Sequence, residues 1–420
     1  MNPADTVSDP ELDHPPLHDL ASPAQFAWVV LPYAIYIDFV TNGSASLLLR
    51  RAGLPLDQVA NAIALLGIPS FIYFLWSPVV DLGLRRRTWH FVSTLVSAAA
   101  LLAGSLALEH HPSWAVWLYF AGLFFCMMIS SAYGGLMAAM LTPSSRARGA
   151  AWAQASNLGG GAVATGLILW LALHLRASLW APIAALLMVL PAVAALFLKE
   201  PARHHHPKLS EHPRAVLREL RATCLEPANF FGLLLLLAPP GAGALIGLLP
   251  AIASDYHVSG DSVVWINGVG GGLLMGLGCL AGTLVPAGID RRIAYASAGA
   301  INAIPAFFLA FATPGYAVYM VGTVIYLFTI GLTSSVCMSL ILDVVGAVRR
   351  GGSLRYSLLS SLQYLPIAYM TWLEGVASKH FGFRGIPGAE AVSCLFDLPL
   401  IAVWSLWYLR SRRRQTLAAA

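Results

Sequence analysis

Three consecutive arginines, Arg85, Arg86 and Arg87, separate two apolar stretches, 58–80 on one side and 88–108 on the other. Each stretch is long enough to cross a hydrocarbon layer of roughly 30 Å as a helix, which takes about 20 residues. Three guanidinium groups cannot sit in hydrocarbon, and short loops rich in Arg and Lys stay on the cytoplasmic side. The turn 81–87 therefore joins two membrane helices and orients them, and the rest of the chain is placed relative to it.

The chain is 58% hydrophobic and only 11% charged, against about 25% charged in ordinary soluble domains, which excludes a water-soluble globule. Spans of membrane length occur near 24–49, 58–80, 88–108, 113–140, 149–172, 177–198, 228–253, 262–285, 293–311, 316–341, 354–378 and 389–409. With both termini inside, these twelve spans put twenty of the 25 Lys and Arg residues on the cytoplasmic side. A missed or extra span would invert every later loop and spoil that bias. The net charge of +5 arises from short clusters between spans, not from a basic face, so no nucleic-acid partner is expected. The cysteines Cys126, Cys224, Cys279, Cys337 and Cys394 have no CxxC spacing, which argues against a disulfide framework or a zinc site. The first 22 residues carry five acids and no Lys or Arg, unlike a cleavable signal peptide.

The expected organisation is all-α integral membrane, with a cytoplasmic tail 1–23, a six-helix bundle 24–198, a cytoplasmic linker 199–227, a second six-helix bundle 228–410 and a tail 411–420. The basic turn after the second span is echoed by Asp290, Arg291 and Arg292 after the eighth, and Arg146 with Arg148 by Arg349 with Arg350. In the linker, His204, His205 and His206 read as part of a solvated basic segment in preference to a metal site, and 213–219 as a short amphipathic surface helix.

Ionisable groups at membrane depth are costly, so they are candidates for function unless they are paired structurally. Asp38 is the most central acid of any span, and Thr41 and Asn42 follow it on the same helix face. It reads either as a coupling or substrate-contacting carboxylate or as a hydrogen-bonded structural one. In the eleventh span Gln363 and Glu374 are eleven residues apart and share a face. Glu374 reads as a substrate- or proton-binding acid, or as a hydrated carboxylate near the external interface. Tyr119 and Tyr133 in the fourth span, Asn157 in the fifth and Tyr326 in the tenth suit a polar cavity wall, and equally a helix-packing surface. The glycines at 159–161 and 270–272 permit close helix approach, and 239–243 interrupts the seventh span. No GxxxxGK[ST] loop occurs, so ATP drive is not supported, and the residues call for no cofactor and no metal. Together these features suit a transporter; a non-transporting sensor on the same scaffold, and then an integral-membrane enzyme, are the alternatives.

Ser77, Asp81, Gly83 and the arginine run resemble the major facilitator signature Gly-x3-Asp-Arg-x-Gly-Arg-Arg, with Ser77 in place of a glycine, Leu82 in place of an arginine and Gly83 one place early. Gly53-Leu54-Pro55-Leu56, Gly67-Ile68-Pro69, Phe74-Leu75-Trp76-Ser77-Pro78 and Tyr364-Leu365-Pro366-Ile367-Ala368-Tyr369 look like the AmpG-like branch of that superfamily. The resemblance implies the major facilitator fold and secondary transport by alternating access in a bacterial inner membrane, with import of a polar organic solute such as a muropeptide or siderophore, coupled to protons. Its partners are then a small-molecule substrate, protons and the lipid bilayer. It also implies a gating role for Ser77, Asp81, Arg85, Arg86 and Arg87, with Asp81 facing the start of the eleventh span near Gly352.

Overall fold

The computed structural model describes residues 18–41, 44–54, 56–200, 221, 227–239, 241–286, 288–346, 352–396, 398–399 and 402–406. Asn42, the linker histidines, the expected surface helix at 213–219, Arg349, Arg350, residues 1–17 of the first tail and the whole tail 411–420 lie outside them. Among the described residues the structure is entirely helical. Seven helices among these residues are long and apolar enough to cross a membrane, and Gln25–Thr41 and Leu65–Leu75 are shorter apolar helices.

In chain order, α1 is Gln25–Thr41, α2 Ser44–Arg51, α3 Leu56–Ile72, α4 Arg86–Ala107, α5 Pro112–Met140, α6 Arg146–Gln154, α7 Gly161–His174 and α8 Ala177–Leu196. After the linker come α9 Pro227–Leu237, α10 Leu245–Ile252, α11 Gly260–Asn267, α12 Val269–Ala281, α13 Arg291–Ile301, α14 Ala303–Phe311, α15 Tyr316–Gly346, α16 Gly352–Leu362, α17 Tyr364–Phe381 and α18 Gly385–Cys394. Several expected spans are thus built from two pieces. The seventh breaks between α9 and α10, where Gly241 and Gly243 take φ of 75° and 70°, a region that side chains rarely tolerate. The fifth is continuous but changes pitch: a π turn, Ala155–Gly160, joins α6 to α7. Gln363 separates α16 from α17.

Two helices organise the packing. About two thirds of α5 (67%) and of α15 (72%) is buried, against 28% for the span formed by α6 and α7 and 33% for α8. α5 and α15 are therefore central, and the less buried spans present Trp170, Leu179, Leu186 and Leu190 outward, as a lipid-facing surface requires. The apolar core of the first half, with Phe26, Tyr36, Phe39 and Leu136, runs without a break into Leu235, Tyr295, Leu340, Ile341 and Val345 of the second. Of these second-half members, Leu340, Ile341 and Val345 lie in the last turns of α15 and Tyr295 in the first half of α13, toward the arginine-rich end. A separate core, with Leu245, Leu249, Tyr256, Leu309, Tyr319 and Tyr326, fills the opposite end of the second half alone. The two halves share a core at the basic end and not at the other.

Candidate functional site

At the basic end, α3 finishes in two 3-10 turns, Tyr73–Leu75 and Ser77–Asp81. Pro78 within the second of them, and Gly83 at φ 65° just after it, turn the chain sharply. Asp81 Oδ1 accepts from Arg86 Nε at 2.7 Å and from Ser353 Oγ at 2.9 Å. Arg86 Nη1 donates to Gly135 O on α5, and Ser131 Oγ, also on α5, donates to Ser353 O. Ser77, one turn before Asp81, is fully buried. The expected meeting of Asp81 with the start of the eleventh span is present, carried by the Ser353 hydroxyl one residue after Gly352, the first residue of α16.

The three arginines have three different environments. Arg85 is exposed; Arg86 is buried in the contact just described; Arg87 Nη1 donates to Leu196 O and Leu198 O at the end of α8. Glu200, which the sequence reading passed over as part of the linker, accepts from the backbone N–H groups of Arg86 and Arg87 and so caps α4 from 113 residues away. In the second half Asp290 accepts from Arg292 N at the start of α13, and Arg291 Nε lies 3.7 Å from Asp343 Oδ2.

Beyond this contact the halves meet through tyrosines. Tyr356 on α16 donates to Tyr133 on α5 at 2.9 Å, and Tyr33 on α1 pairs with Tyr364 on α17 at 3.2 Å. The Tyr33, Tyr133 and Tyr356 rings stand edge to face in sequence, with centroids 5.7 and 5.6 Å apart. Asp38 is buried one to two turns along α1 from Tyr33, within electrostatic reach of Tyr364. Its carboxyl lies directly against Gly161, in the space a Cβ there would take. The π turn that precedes Gly161 thus shapes the niche for Asp38. Glycines also bring α12 against this turn: a Cβ on Gly276 would sit 3.2 Å from Gly159 Cα.

The other expected residues are dispersed. Thr41 Oγ1 bonds back to Ile37 O. Tyr119 lies inside the first half, its hydroxyl on Ser105 and its carbonyl accepting from Tyr36. Asn157, in the π turn, donates to Gln154, and Gln363 accepts from Cys337 Sγ. Tyr326 donates to Glu390 at 2.6 Å, and Glu374 is wholly buried beside Glu390. A hydrated interfacial carboxylate is not what Glu374 is. Tyr33 and Glu390 were missed because an aromatic residue in an apolar helix and an acid at the first turn of an expected span carry no distinctive spacing.

Long apolar helices around two central ones, with acids and hydroxyls held where two halves meet, define a helical membrane transporter. The chain belongs to the Major Facilitator Superfamily, whose description matches residues 25–368. It is accordingly a transporter and not an enzyme. Among solved structures it is similar to FucP, the fucose:proton symporter of E. coli, in the outward conformation, at 15% identity over 92% of this chain and 98% of that one, with a TM-score of 0.66. The human organic anion transporter MFSD10 (TETRAN) is 16% identical over 90% of this chain and 98% of that one, TM-score 0.66. The proton:xylose symporter XylE is 12% identical over 91% and 94%, TM-score 0.63. At these identities the likeness shows the fold. No curated protein sequence matches the chain.

Proposed function

We propose that the protein is a secondary active transporter of the AmpG-like branch, with twelve spans in two six-helix bundles and both termini cytoplasmic, importing a polar organic solute with protons across a bacterial inner membrane. The solute is of muropeptide or siderophore type, on the strength of the motifs at 53–56, 67–69, 74–78 and 364–369. The observation that carries the reading is the asymmetry of the core: one apolar core joins the halves toward the arginine-rich end, while the second half keeps a core of its own at the other. Alternating access needs two bundles that hold together at one face while parting at the other. With the arginines inside, this is the state closed to the cytoplasm, Asp81 and Ser353 form its latch, and Asp38 with the Tyr33 and Tyr364 hydroxyls is the candidate solute and proton site.

Purified protein in proteoliposomes, offered labelled muropeptides and ferric siderophores under an imposed pH gradient, tests this. Accumulation that collapses with the gradient is expected. Binding without accumulation would make the chain a sensor, and accumulation indifferent to the gradient would remove the proton from the mechanism.

A further inference from the structure

Glu374 on α17 and Glu390 on α18 are both fully buried and close enough to share a hydrogen. Glu390 Oε1 accepts from the Tyr326 hydroxyl on α15 at 2.6 Å. Apart from the contact between the two acids, both Glu374 oxygens and Glu390 Oε2 have no hydrogen-bond partner among the described residues. Ionisable groups on the surrounding elements are few. α14 and α10 contain none, and α15 brings Tyr326, with Cys394 of α18 beside it. Lys379 and His380 are in the last turn of α17, and Arg384, in the turn before α18, stands over the Phe383 ring. Among the described residues no cation is paired with either acid.

Two adjacent carboxylates without a cation, out of water, cannot both remain ionised. The least costly arrangement leaves a proton on one acid, which donates it to the other while Tyr326 donates to the second carboxyl. From the geometry we propose that Glu374 and Glu390 form a proton-binding site, cycling between a singly protonated pair carrying one negative charge and a neutral pair carrying two protons. This site is separate from Asp38: it lies within the second half, on the side away from the arginines. It is also mechanically placed to matter. α17 continues, across the joint at Gln363, the helix α16 that carries Ser353 of the latch. Loading the second proton removes the buried negative charge and replaces a charge-assisted hydrogen bond between α17 and α18 with a weaker neutral one, and α17 leads to the latch. The coupling role rests on the transport reading; the proton site itself does not.

Infrared titration of the purified full-length chain in lipid nanodiscs is the direct test. The wild type is expected to show a carboxylic-acid C=O band at neutral pH that the Glu374→Gln/Glu390→Gln double variant lacks. Tyr326→Phe, which keeps both acids, is expected to shift that band and guards against a double variant that does not fold. A wild-type band that neither change affects would overturn the site. So would a sodium-dependent rise in melting temperature that the double variant loses, since the pair would then be a cation ligand. In proteoliposomes loaded with labelled muropeptide or ferric siderophore, Glu390→Gln is expected to lose gradient-driven accumulation and to keep solute exchange. Wild-type accumulation by Glu390→Gln would overturn the coupling role. A chain that transports neither solute fails the transport reading and leaves the infrared result to decide the proton site.

Discussion

Asp81 and Ser353, 272 positions apart in the chain, meet through a 2.9 Å hydrogen bond whose acceptor is also held by Arg86 at 2.7 Å. The bond crosses from the first half to the second, whereas the ion pair stays within the first, so the two contribute differently. Opening the basic end must break the Ser353 bond, and Arg86 can keep Asp81 in place while it does.

Ser353→Ala is therefore the cleaner probe of the latch. A hydrogen bond to a charged group is worth about 1.5–3 kcal/mol, so its loss is expected to shift the balance toward the inward-open state by roughly tenfold or more. Asp81→Ala should do the same and also release Arg86, which costs stability besides. Double-label distances across the basic end, measured with and without each substitution, check this. Unchanged distances together with normal transport would reduce Asp81 to a helix-terminal charge.

How far this was legible in the sequence depends on the range of the interaction. The arginine run, the spans and the special standing of Asp81 follow from hydropathy and from a local motif, because bilayer thickness and charge cost act on contiguous residues. That 159–161 and 270–272 each permit close helix approach follows from small residues alone, but not that the π turn and α12 are each other's partners. Glu200 and Glu390 were not, since each owes its role to a partner elsewhere in the chain: the α4 amides for one, Tyr326 and Glu374 for the other. Tyr119 illustrates the converse. Its position on a polar stripe suggested a cavity wall, but a stripe gives a face without saying what the face meets, and this one meets Gly104 and Ser105.

Asp38 and Gly161 form the second testable pair. Asp38→Asn keeps the shape and removes the charge, and is expected to abolish gradient-driven accumulation with folding intact. Gly161→Ala keeps the carboxyl but pushes a methyl group into its place, and crowding of this kind costs about 1–3 kcal/mol. It is expected to impair transport with Asp38 still present. Full uptake in Asp38→Asn would remove the residue from the mechanism.

Asn157 and Gln363 are both only partly buried, whereas Tyr119 is fully enclosed. Cysteines at 157 and 363 should accordingly react with small water-soluble thiol reagents and be protected by bound solute, while a cysteine at 119 should not react. Equal inertness at all three would assign 157 and 363 to packing surface.

The crossing of Gly159 and Gly276 brings two backbones together with no side chain between them. A valine at 276 has to displace the π turn, so Gly276→Val is expected to destabilise the protein by about 1–3 kcal/mol and to slow transport. Thermal unfolding and uptake measured together decide it. A variant as stable as wild type would mean the crossing has slack.

The N-terminal segment supplies the last prediction, and this one depends on pH. Asp19 precedes α1 and accepts from Thr142 N and Thr142 Oγ1, both at 2.8 Å, and from the Ser145 hydroxyl; Leu20 N donates to Met140 O. The entry to α1 is thereby tied to the turn between α5 and α6. Partial burial pushes the Asp19 carboxyl upward, but the bonds from Ser145 and Thr142 and the charge of Arg148 outweigh it and hold the group below its ordinary value. A carboxyl depressed by folding contributes stability that is present above its unfolded pKa of about 3.9 and is lost as pH falls through the folded value. At neutral pH the tie is complete, and it weakens only in acid below about pH 4. Asp19 is only partly buried, so solvent screening keeps the tie to no more than about 1 kcal/mol, enough to order the segment and too little to decide folding. A spin label on a cysteine at position 18 should be immobile at neutral pH and mobile in acid, and mobile at both in Asp19→Ala. Identical mobility in the variant and the parent at neutral pH would show that the segment is held by Leu20 and not by Asp19.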